Sequence, residues 1–130
     1  MRPVVIAHRG ARSLAPENTL AAARKAFELG ADLWETDVGV SKDGVLILMH
    51  DDSLARTTDA PARYPGAEPW TFTEFELEKL RALDAGSWFH ETDPFGEVAA
   101  GHVREDYRGE RIPTVREALL LTKELGWRVN

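Results

Sequence analysis

Short runs of apolar residues that end in charged or imidazole side chains limit the possible folds of this chain more than any other feature. Residues 4–7 form a β-branched run that stops at His8 and Arg9. Residues 45–49 form a second run that stops at His50. Runs of this length and composition are typical of strands that are buried on both faces, as in a parallel sheet. We therefore predict two buried strands with polar side chains at their carboxyl ends.

A further strand is predicted between these two runs. Residues 33–40 alternate in character with period two, which places Glu35 and Asp37 on one face of a strand and most of the apolar side chains on the other. An amphipathic helix is predicted before this strand, with Glu17 and Asn18 at its start and a glycine stop at residue 30. The predicted order is strand, helix, strand.

The order of the predicted elements favours a parallel α/β architecture. Residues 38–44 are too few for a crossover helix, so the link between the second and third strands is predicted to be hairpin-like or extended. A complete (β/α)₈ barrel needs about 250 residues. With 130 residues, we expect an α/β fold of the TIM-barrel type that is present only as its N-terminal half.

The second part of the chain combines loop-rich sequence with helix signals. Residues 51–112 are polar and rich in proline and glycine, which predicts a small loop-rich insert within a single domain of residues 1–130. Two capping boxes each predict the start of a helix, one formed by Thr73 and Glu76 and the other by Thr114 and Glu117.

Composition excludes several classes of function. The chain has 16 basic and 22 acidic residues and a net charge of −6, which argues against a nucleic-acid partner. It contains no cysteine, which excludes disulfides, thiolate zinc sites and thiol nucleophiles. No apolar run approaches the ~20 residues of a membrane span. We therefore expect a cytoplasmic protein that has no nucleic-acid partner and does not insert stably into membranes.

The two carboxylates on the predicted second strand are candidate metal ligands. Glu35 and Asp37 lie two positions apart, about 6.6 Å along the strand, with both carboxylates on one face. Mg²⁺ and Ca²⁺ prefer oxygen ligands, so a divalent cation between the two carboxylates would remove the cost of an uncompensated pair. In the alternative interpretation, either carboxylate forms an ion pair with a basic neighbour such as Arg9.

Side chains at the other strand ends are candidate catalytic and substrate-binding groups. His8 and His50 are expected to meet at one rim of the sheet, where two imidazoles on opposite sides of a phosphorus atom can act as general acid and base. Arg9 is a candidate phosphate contact, or else forms a surface salt bridge. Trp88 and Phe89 lie in the expected insert and either line the mouth of the site or belong to the core.

In order and spacing, these residues resemble the glycerophosphodiester phosphodiesterase family. The resemblance covers essentially the whole chain and is carried by the motifs His8-Arg9-Gly10, Pro16-Glu17-Asn18-Thr19, Glu35-x-Asp37, His50-Asp51 and Leu54-x-Arg56-Thr57-Thr58. It implies a TIM-type barrel that uses a divalent metal to hydrolyse glycerophosphodiesters to an alcohol and glycerol 3-phosphate.

The resemblance also implies roles for individual residues. Glu35 and Asp37 would be metal ligands, His8 and His50 the general acid and base, and Arg9 a phosphate contact. In this family a hydroxyl of the substrate is thought able to attack phosphorus first, giving a cyclic phosphate that water then opens.

The resemblance leaves alternatives open. Family members continue beyond a strand that begins like Val129-Asn130 into an Asn-x-Glu-x-Lys motif, which supplies a third metal ligand and a phosphate contact. We therefore expect an incomplete barrel with a missing C-terminal half. One alternative is a non-catalytic fragment that binds phosphate, forms an oligomer or pairs with another half. Another is a phospholipase C or D acting on a lipid phosphodiester.

Overall fold

The first three elements form a β-α-β unit. The computed structural model describes residues 1–130. Strand β1 (Ile6–His8) is followed by helix α1 (Leu20–Glu28) and by strand β2 (Leu33–Glu35), which pairs with β1 in parallel. The register sets His8 directly opposite Glu35. The predicted α/β class and the predicted helix between the first two strands are confirmed.

Strand β1 is less buried than its sequence predicts. β2 is its only neighbour in the sheet, so the opposite edge of β1 is uncovered. Val4 is 63% exposed and Ile6 is 52% exposed. The prediction that this run is buried on both faces is therefore wrong.

The next two strands form a separate antiparallel hairpin. Strands β3 (Val38–Val40) and β4 (Leu46–Leu48) pair with each other and not with β1 or β2. Gly44 in the connecting turn has a φ of +83°, a left-handed conformation that glycine adopts without strain. The predicted hairpin-like link is confirmed. The predicted single strand over residues 33–40 is wrong, because the chain leaves the strand conformation at residues 36 and 37.

The strands do not close into a barrel. They form two sheets of two strands each, to which single bridges add short contacts. One of these bridges joins Trp34 to Val129 in parallel, and another joins Ile47 to Thr114 in antiparallel.

The loop-rich segment contains more helix than its composition predicts. Its helical elements are α2 (Ala60–Arg63), a 3₁₀ turn (Phe72–Glu74), α3 (Leu77–Arg81) and α4 (Ser87–Thr92). The capping box predicted at Thr73 is wrong. Thr73 lies inside the 3₁₀ turn, and α3 begins one residue after Glu76, which occupies the N-cap position without a side-chain cap.

The last helix, α5 (Val115–Glu124), begins at the predicted capping box. The Thr114 side chain accepts a hydrogen bond from the Glu117 backbone N–H, and the Glu117 carboxylate accepts one from the Thr114 backbone N–H. In the core beneath α5, the indole N–H of Trp34 donates to Thr122 Oγ1 over 3.0 Å. None of the helices is both long enough and apolar enough to cross a lipid bilayer.

The core of the molecule consists of three apolar clusters. The largest packs the hairpin against the 3₁₀ turn and α3, the second lies beneath α4, and the third packs α1 and α5 against β2 and β4. Their most deeply buried side chains include Trp34, Ile47, Leu48, Leu54, Leu80, Leu83 and Phe89.

The Thr114 cap is expected to contribute measurably to stability. Replacing Thr114 by alanine should lower the free energy of unfolding by about 1 kcal/mol, because an N–H of the first turn of α5 loses its acceptor. Urea denaturation measures this loss. Thr71→Ala is the matched control, since Thr71 occupies an N-cap whose side chain makes no capping hydrogen bond. Equal losses in the two variants would contradict the assignment.

Candidate active site

A tight corner after β1 orients the first polar side chains. Arg9 and Gly10 both adopt left-handed backbone conformations, with φ values of +62° and +83°. A Cβ atom on Gly10 would lie 2.7 Å from Ala22 on α1, so only glycine fits at this position. The Arg9 backbone N–H donates to the Glu35 carbonyl oxygen over 2.9 Å. The corner thereby fixes His8 and Arg9 against the end of β2.

Glu35 lies between His8 and the Arg9 backbone. Its Oε2 atom is 3.8 Å from His8 Nε2 and 3.2 Å from the Arg9 backbone nitrogen. The parallel register of β1 and β2 brings these groups together. The predicted proximity of His8 and Glu35 is present.

The Asn18 side chain forms hydrogen bonds with Thr36 and Asp37, the two residues that follow strand β2. Its amide Nδ2 donates to Asp37 Oδ2 over 3.0 Å, and its Oδ1 accepts hydrogen bonds from the Thr36 hydroxyl and the Asp37 backbone N–H. The Asn18 side chain therefore bonds the backbone N–H of Asp37, whereas the backbone N–H of Thr36 donates to the Asn130 carbonyl oxygen over 3.1 Å. Arg9 Nε lies 3.4 Å from Asp37 Oδ2.

Glu17 joins two arginines and is not a helix-start residue. Thr19 caps α1 instead, by accepting from the Ala22 backbone N–H. The Glu17 carboxylate accepts from Arg9 Nη1 over 3.1 Å, and from Arg56 Nη1 and Nη2 over 2.8 and 3.0 Å. Burial alone would raise the pKa of Glu17, but the two guanidinium groups outweigh it and the pKa lies below its usual value.

His50 is paired with its sequence neighbour. His50 Nδ1 lies 2.7 Å from Asp51 Oδ1. Arg56 donates to the same carboxylate, from Nε to Oδ2 over 2.7 Å and from Nη2 to Oδ1 over 3.0 Å. The hydrogen bonds from Arg56, opposed by partial burial and assisted by His50, hold the pKa of Asp51 well below its ordinary range. Asp51 is therefore an anion at neutral pH and can only accept.

The hairpin, and not a parallel strand, brings His50 to this region. β4 runs antiparallel to β3, and the Met49 backbone N–H donates to the Asp37 carbonyl oxygen over 3.1 Å. The third predicted strand therefore follows a hairpin turn, and its end lies beside Asp37. His50 lines one cavity with Glu17 and Asn18, whose partners are Arg9 and Asp37.

The two aromatic residues of the insert lie mainly in the core. Phe89 is fully buried and packs edge-on against Trp88 and Tyr107. This position agrees with the core interpretation and not with a substrate contact. Trp88 is 8% exposed, and its ring lies 5.9 Å from the guanidinium carbon of Arg56. Trp88 thus contacts Arg56 from the side of the core.

Glu35 and Asp37 each offer a carboxylate oxygen to a cation. No group of three or more histidine, aspartate or glutamate side chains is arranged around a common point. Glu35 and Asp37 are half-buried, and one oxygen of each, Oε1 and Oδ1, makes no hydrogen bond. Mg²⁺ is often bound by one or two carboxylates, with waters and substrate phosphate completing the shell. The two carboxylates fit this mode of binding.

Arg9 retains an unused donor. Its Nε atom is buried and has no hydrogen-bond partner, although Asp37 lies close by. A buried donor without an acceptor is costly. Asp37 Oδ2, which lies 3.4 Å away, supplies an opposite charge but no hydrogen bond.

Sequence reasoning missed the residues that connect the site. The sequence pattern predicts a helix-start role for Glu17 and no role for Asp51 and Arg56. All three occur in the motifs that carry the family resemblance, so the only signal was their place in those motifs. Their function depends on contacts between residues up to 39 positions apart.

Curated proteins with similar sequences are phosphodiesterases. The chain is 42% identical over 120 residues to the glycerophosphoinositol inositolphosphodiesterase of Mus musculus, covering 91% of this chain and 22% of the relative. It is 38% identical over 130 residues to the glycerophosphodiester phosphodiesterase of Caldanaerobacter subterraneus, covering 100% of this chain and 44% of the relative. The chain therefore spans less than half the length of these relatives.

A similar solved structure leads to the same family. The phosphodiesterase of Oleispira antarctica, solved in complex with the product sn-glycerol 3-phosphate, is 37% identical, with a TM-score of 0.77. The likeness covers 98% of this chain and 43% of that one. The sequence model of the glycerophosphoryl diester phosphodiesterase family matches residues 8–128. Since this match includes nearly all of the chain, the protein belongs to the glycerophosphoryl diester phosphodiesterase family.

Proposed function

We propose that this chain carries the acid-base and phosphate-binding groups of an enzyme that hydrolyses glycerophosphodiesters to an alcohol and glycerol 3-phosphate. One observation carries the proposal: two imidazoles, each beside a carboxylate, are both connected to Arg9. His8 is connected through Glu35 and the Arg9 backbone N–H, and His50 through Asp51, Arg56 and Glu17. Family membership supports the same reaction. The product named for the Oleispira antarctica structure, sn-glycerol 3-phosphate, identifies the expected product class.

The two histidines divide the proton transfers. Hydrolysis of a phosphodiester forms a P–O bond to the attacking oxygen and breaks the P–O bond to the leaving alcohol, so the attacking O–H must lose a proton and the leaving alkoxide must gain one. The attacking group is water, or a substrate hydroxyl that gives a cyclic phosphate which water then opens. We assign one transfer to His8 and the other to His50. Asp51 accepts a hydrogen bond at one ring nitrogen of His50, which leaves Nε2 available for the substrate.

Arg9 is proposed to bind the phosphate. Its Nη1 is held by Glu17, and its Nε lies 3.4 Å from Asp37 Oδ2. A phosphate oxygen at this guanidinium would receive a charge-assisted hydrogen bond from a group already oriented by the protein. Arg9 would then stabilise the negative charge of the diester.

Glu35 and Asp37 are proposed to hold a divalent cation, Mg²⁺ or Ca²⁺. When bound, such an ion supplies positive charge that stabilises the phosphoryl oxygens during the reaction. The Arg9 backbone N–H at Glu35 and the Asn18 amide at Asp37 each occupy one oxygen, which orients the other. Outer partners of this kind position metal ligands.

We further propose that the β-α-β unit belongs to the N-terminal half of a TIM-type barrel in a single domain that includes the insert of residues 51–112. The parallel pairing of β1 with β2 and the parallel bridge between Trp34 and Val129 support this arrangement. In such a barrel, the active site lies at the carboxyl ends of the strands. His8 and Glu35 are the last residues of β1 and β2.

A second candidate function is a non-catalytic half barrel that pairs with a further segment or a second copy. The exposed apolar side chains of Val4 and Ile6 favour it, because an uncovered strand edge is a site for pairing. Sedimentation of the purified chain, combined with a hydrolysis assay, separates the two candidates. A monomer that hydrolyses the substrate would contradict the non-catalytic interpretation.

Loss of either histidine should abolish most of the hydrolysis. We expect His8→Ala and His50→Ala to lower kcat for glycerophosphocholine by about 10²- to 10⁴-fold, because each removes one proton-transfer group. Release of glycerol 3-phosphate in the presence of Mg²⁺ or Ca²⁺ measures this rate. His102→Ala is the matched control, since His102 is exposed and pairs only with Glu97. Wild-type activity in either site variant would refute the assignment.

The carboxylates should determine cation binding separately from catalysis. We expect Asp37→Asn or Glu35→Gln to weaken Mg²⁺ or Ca²⁺ binding by at least the roughly tenfold that loss of an outer partner of a metal ligand costs. Calorimetric titration measures the affinity. Asp106→Asn is the control, because Asp106 lies on the surface beside Arg108. Unchanged affinity in Asp37→Asn would count against a cation at this position.

A further inference from the structure

Arg56 makes more directional contacts than any other side chain near the site. Its Nε and Nη2 atoms donate to Asp51 over 2.7 and 3.0 Å. Its Nη1 and Nη2 atoms donate to Glu17 over 2.8 and 3.0 Å. Both edges of the planar guanidinium are therefore occupied by carboxylates, and Trp88 covers one face at 5.9 Å. This environment specifies the position and rotation of the group.

Folding stability accounts for the Glu17 end of this arrangement but not for the Asp51 end, where the carboxylate is 30% exposed. The Arg56 side chain is 44% exposed, and ion pairs at exposed positions contribute little to folding stability. Two bidentate contacts, by contrast, provide geometric specificity. The Glu17 end is the anchor, because the Glu17 side chain is 9% exposed and is also tied to Arg9. The Asp51 end is the part that the anchored guanidinium orients.

We propose that Arg56 is a positioning residue that acts on His50 through Asp51. Arg56 fixes both oxygens of the Asp51 carboxylate, so that Oδ1 stays 2.7 Å from His50 Nδ1. The neutral ring then carries its proton on Nδ1 and keeps Nε2 as an acceptor. Glu17 and Trp88 hold Arg56 in the orientation that this requires. The catalytic meaning of the contact, but not the contact itself, rests on the proposed function.

The charge state of Asp51 supports this direction of the hydrogen bond. Arg56 keeps the pKa of Asp51 well below its usual range, so the carboxylate has no proton to donate to the ring. The hydrogen bond between the two side chains therefore requires a proton on His50 Nδ1. Without Arg56, the Asp51 side chain would be free to rotate away into solvent.

The tautomer of His50 tests the proposal without any substrate. Two-bond ¹H–¹⁵N spectra of the ¹⁵N-labelled chain, recorded at a pH where the His50 ring is neutral, give the ratio of the Nδ1–H to the Nε2–H form. The spectrum of His50→Asn identifies the signals. We expect the Nδ1–H form to dominate in the wild type, and the ratio to fall about tenfold or more in Asp51→Ala.

A double-mutant cycle shows whether Arg56 acts through Asp51. We expect Arg56→Gln alone to lower the tautomer ratio by about threefold or more, and to change it less than about twofold when Asp51 is already alanine. Arg56→Lys should recover part of the wild-type ratio, since lysine keeps the charge but not the planar fork. Arg63→Gln, which removes a surface arginine paired with Asp59, should leave the ratio unchanged.

Several outcomes would overturn the proposal. A wild-type tautomer ratio in Arg56→Gln would show that Arg56 does not position His50. An equal effect of Arg56→Gln with and without Asp51 would show that it acts by another route. If Arg56→Gln does not fold by circular dichroism, a wild-type ratio in Arg56→Lys together with a wild-type ratio in Asp51→Ala has the same meaning.

Hydrolysis assays separate this proposal from the proposed function. If the tautomer ratios change as expected but the full-length wild-type protein releases no glycerol 3-phosphate, the positioning contact is supported and the enzymatic assignment fails. If the wild type is active and Arg56→Gln retains both its kcat and its tautomer ratio, the positioning role fails and the enzymatic assignment stands.

Discussion

The carboxylate of Glu17 is buried between the guanidinium groups of Arg9 and Arg56. The arrangement of the candidate active site depends on these two ion pairs. A carboxylate removed from water needs paired charges and hydrogen bonds to remain ionised, and Glu17 receives both from two arginines. The three residues come from the corner after β1, the segment before α1 and the segment after the hairpin. Their contacts therefore connect the corner after β1 to the segment after the hairpin, although the two sheets share no strand pairing.

Local sequence signals predicted the elements that depend on local contacts. The capping box of Thr114 and Glu117 is complete within four residues, and α5 begins where it predicts. The predicted strand over residues 33–40 failed for a tertiary reason, because the side chain of Asn18 captures the Asp37 backbone N–H. The expected burial of residues 4–7 failed because burial depends on neighbouring strands, which a local run does not reveal.

The candidate site was predictable in its residue types but not in its connections. The pairing of His8 with Glu35 follows from the parallel register of two predicted strands. The position of His50 does not, since β4 reverses direction in a hairpin and belongs to a different sheet. Phe89 shows the same limit, because an aromatic residue in a loop-rich segment packs inward once the six residues of α4 form a helix.

The two imidazoles lie at the ends of separate sheets, and this separation affects how such a site can diversify. Neighbouring strands within one sheet are fixed about 4.8 Å apart, so groups on them cannot change their spacing gradually. His50 follows the β3–β4 hairpin, which pairs with neither β1 nor β2, so this strand spacing does not fix its distance from His8. Altered turn residues or a changed tilt of the hairpin would shift His50 relative to His8 while the β1–β2 pair stays intact.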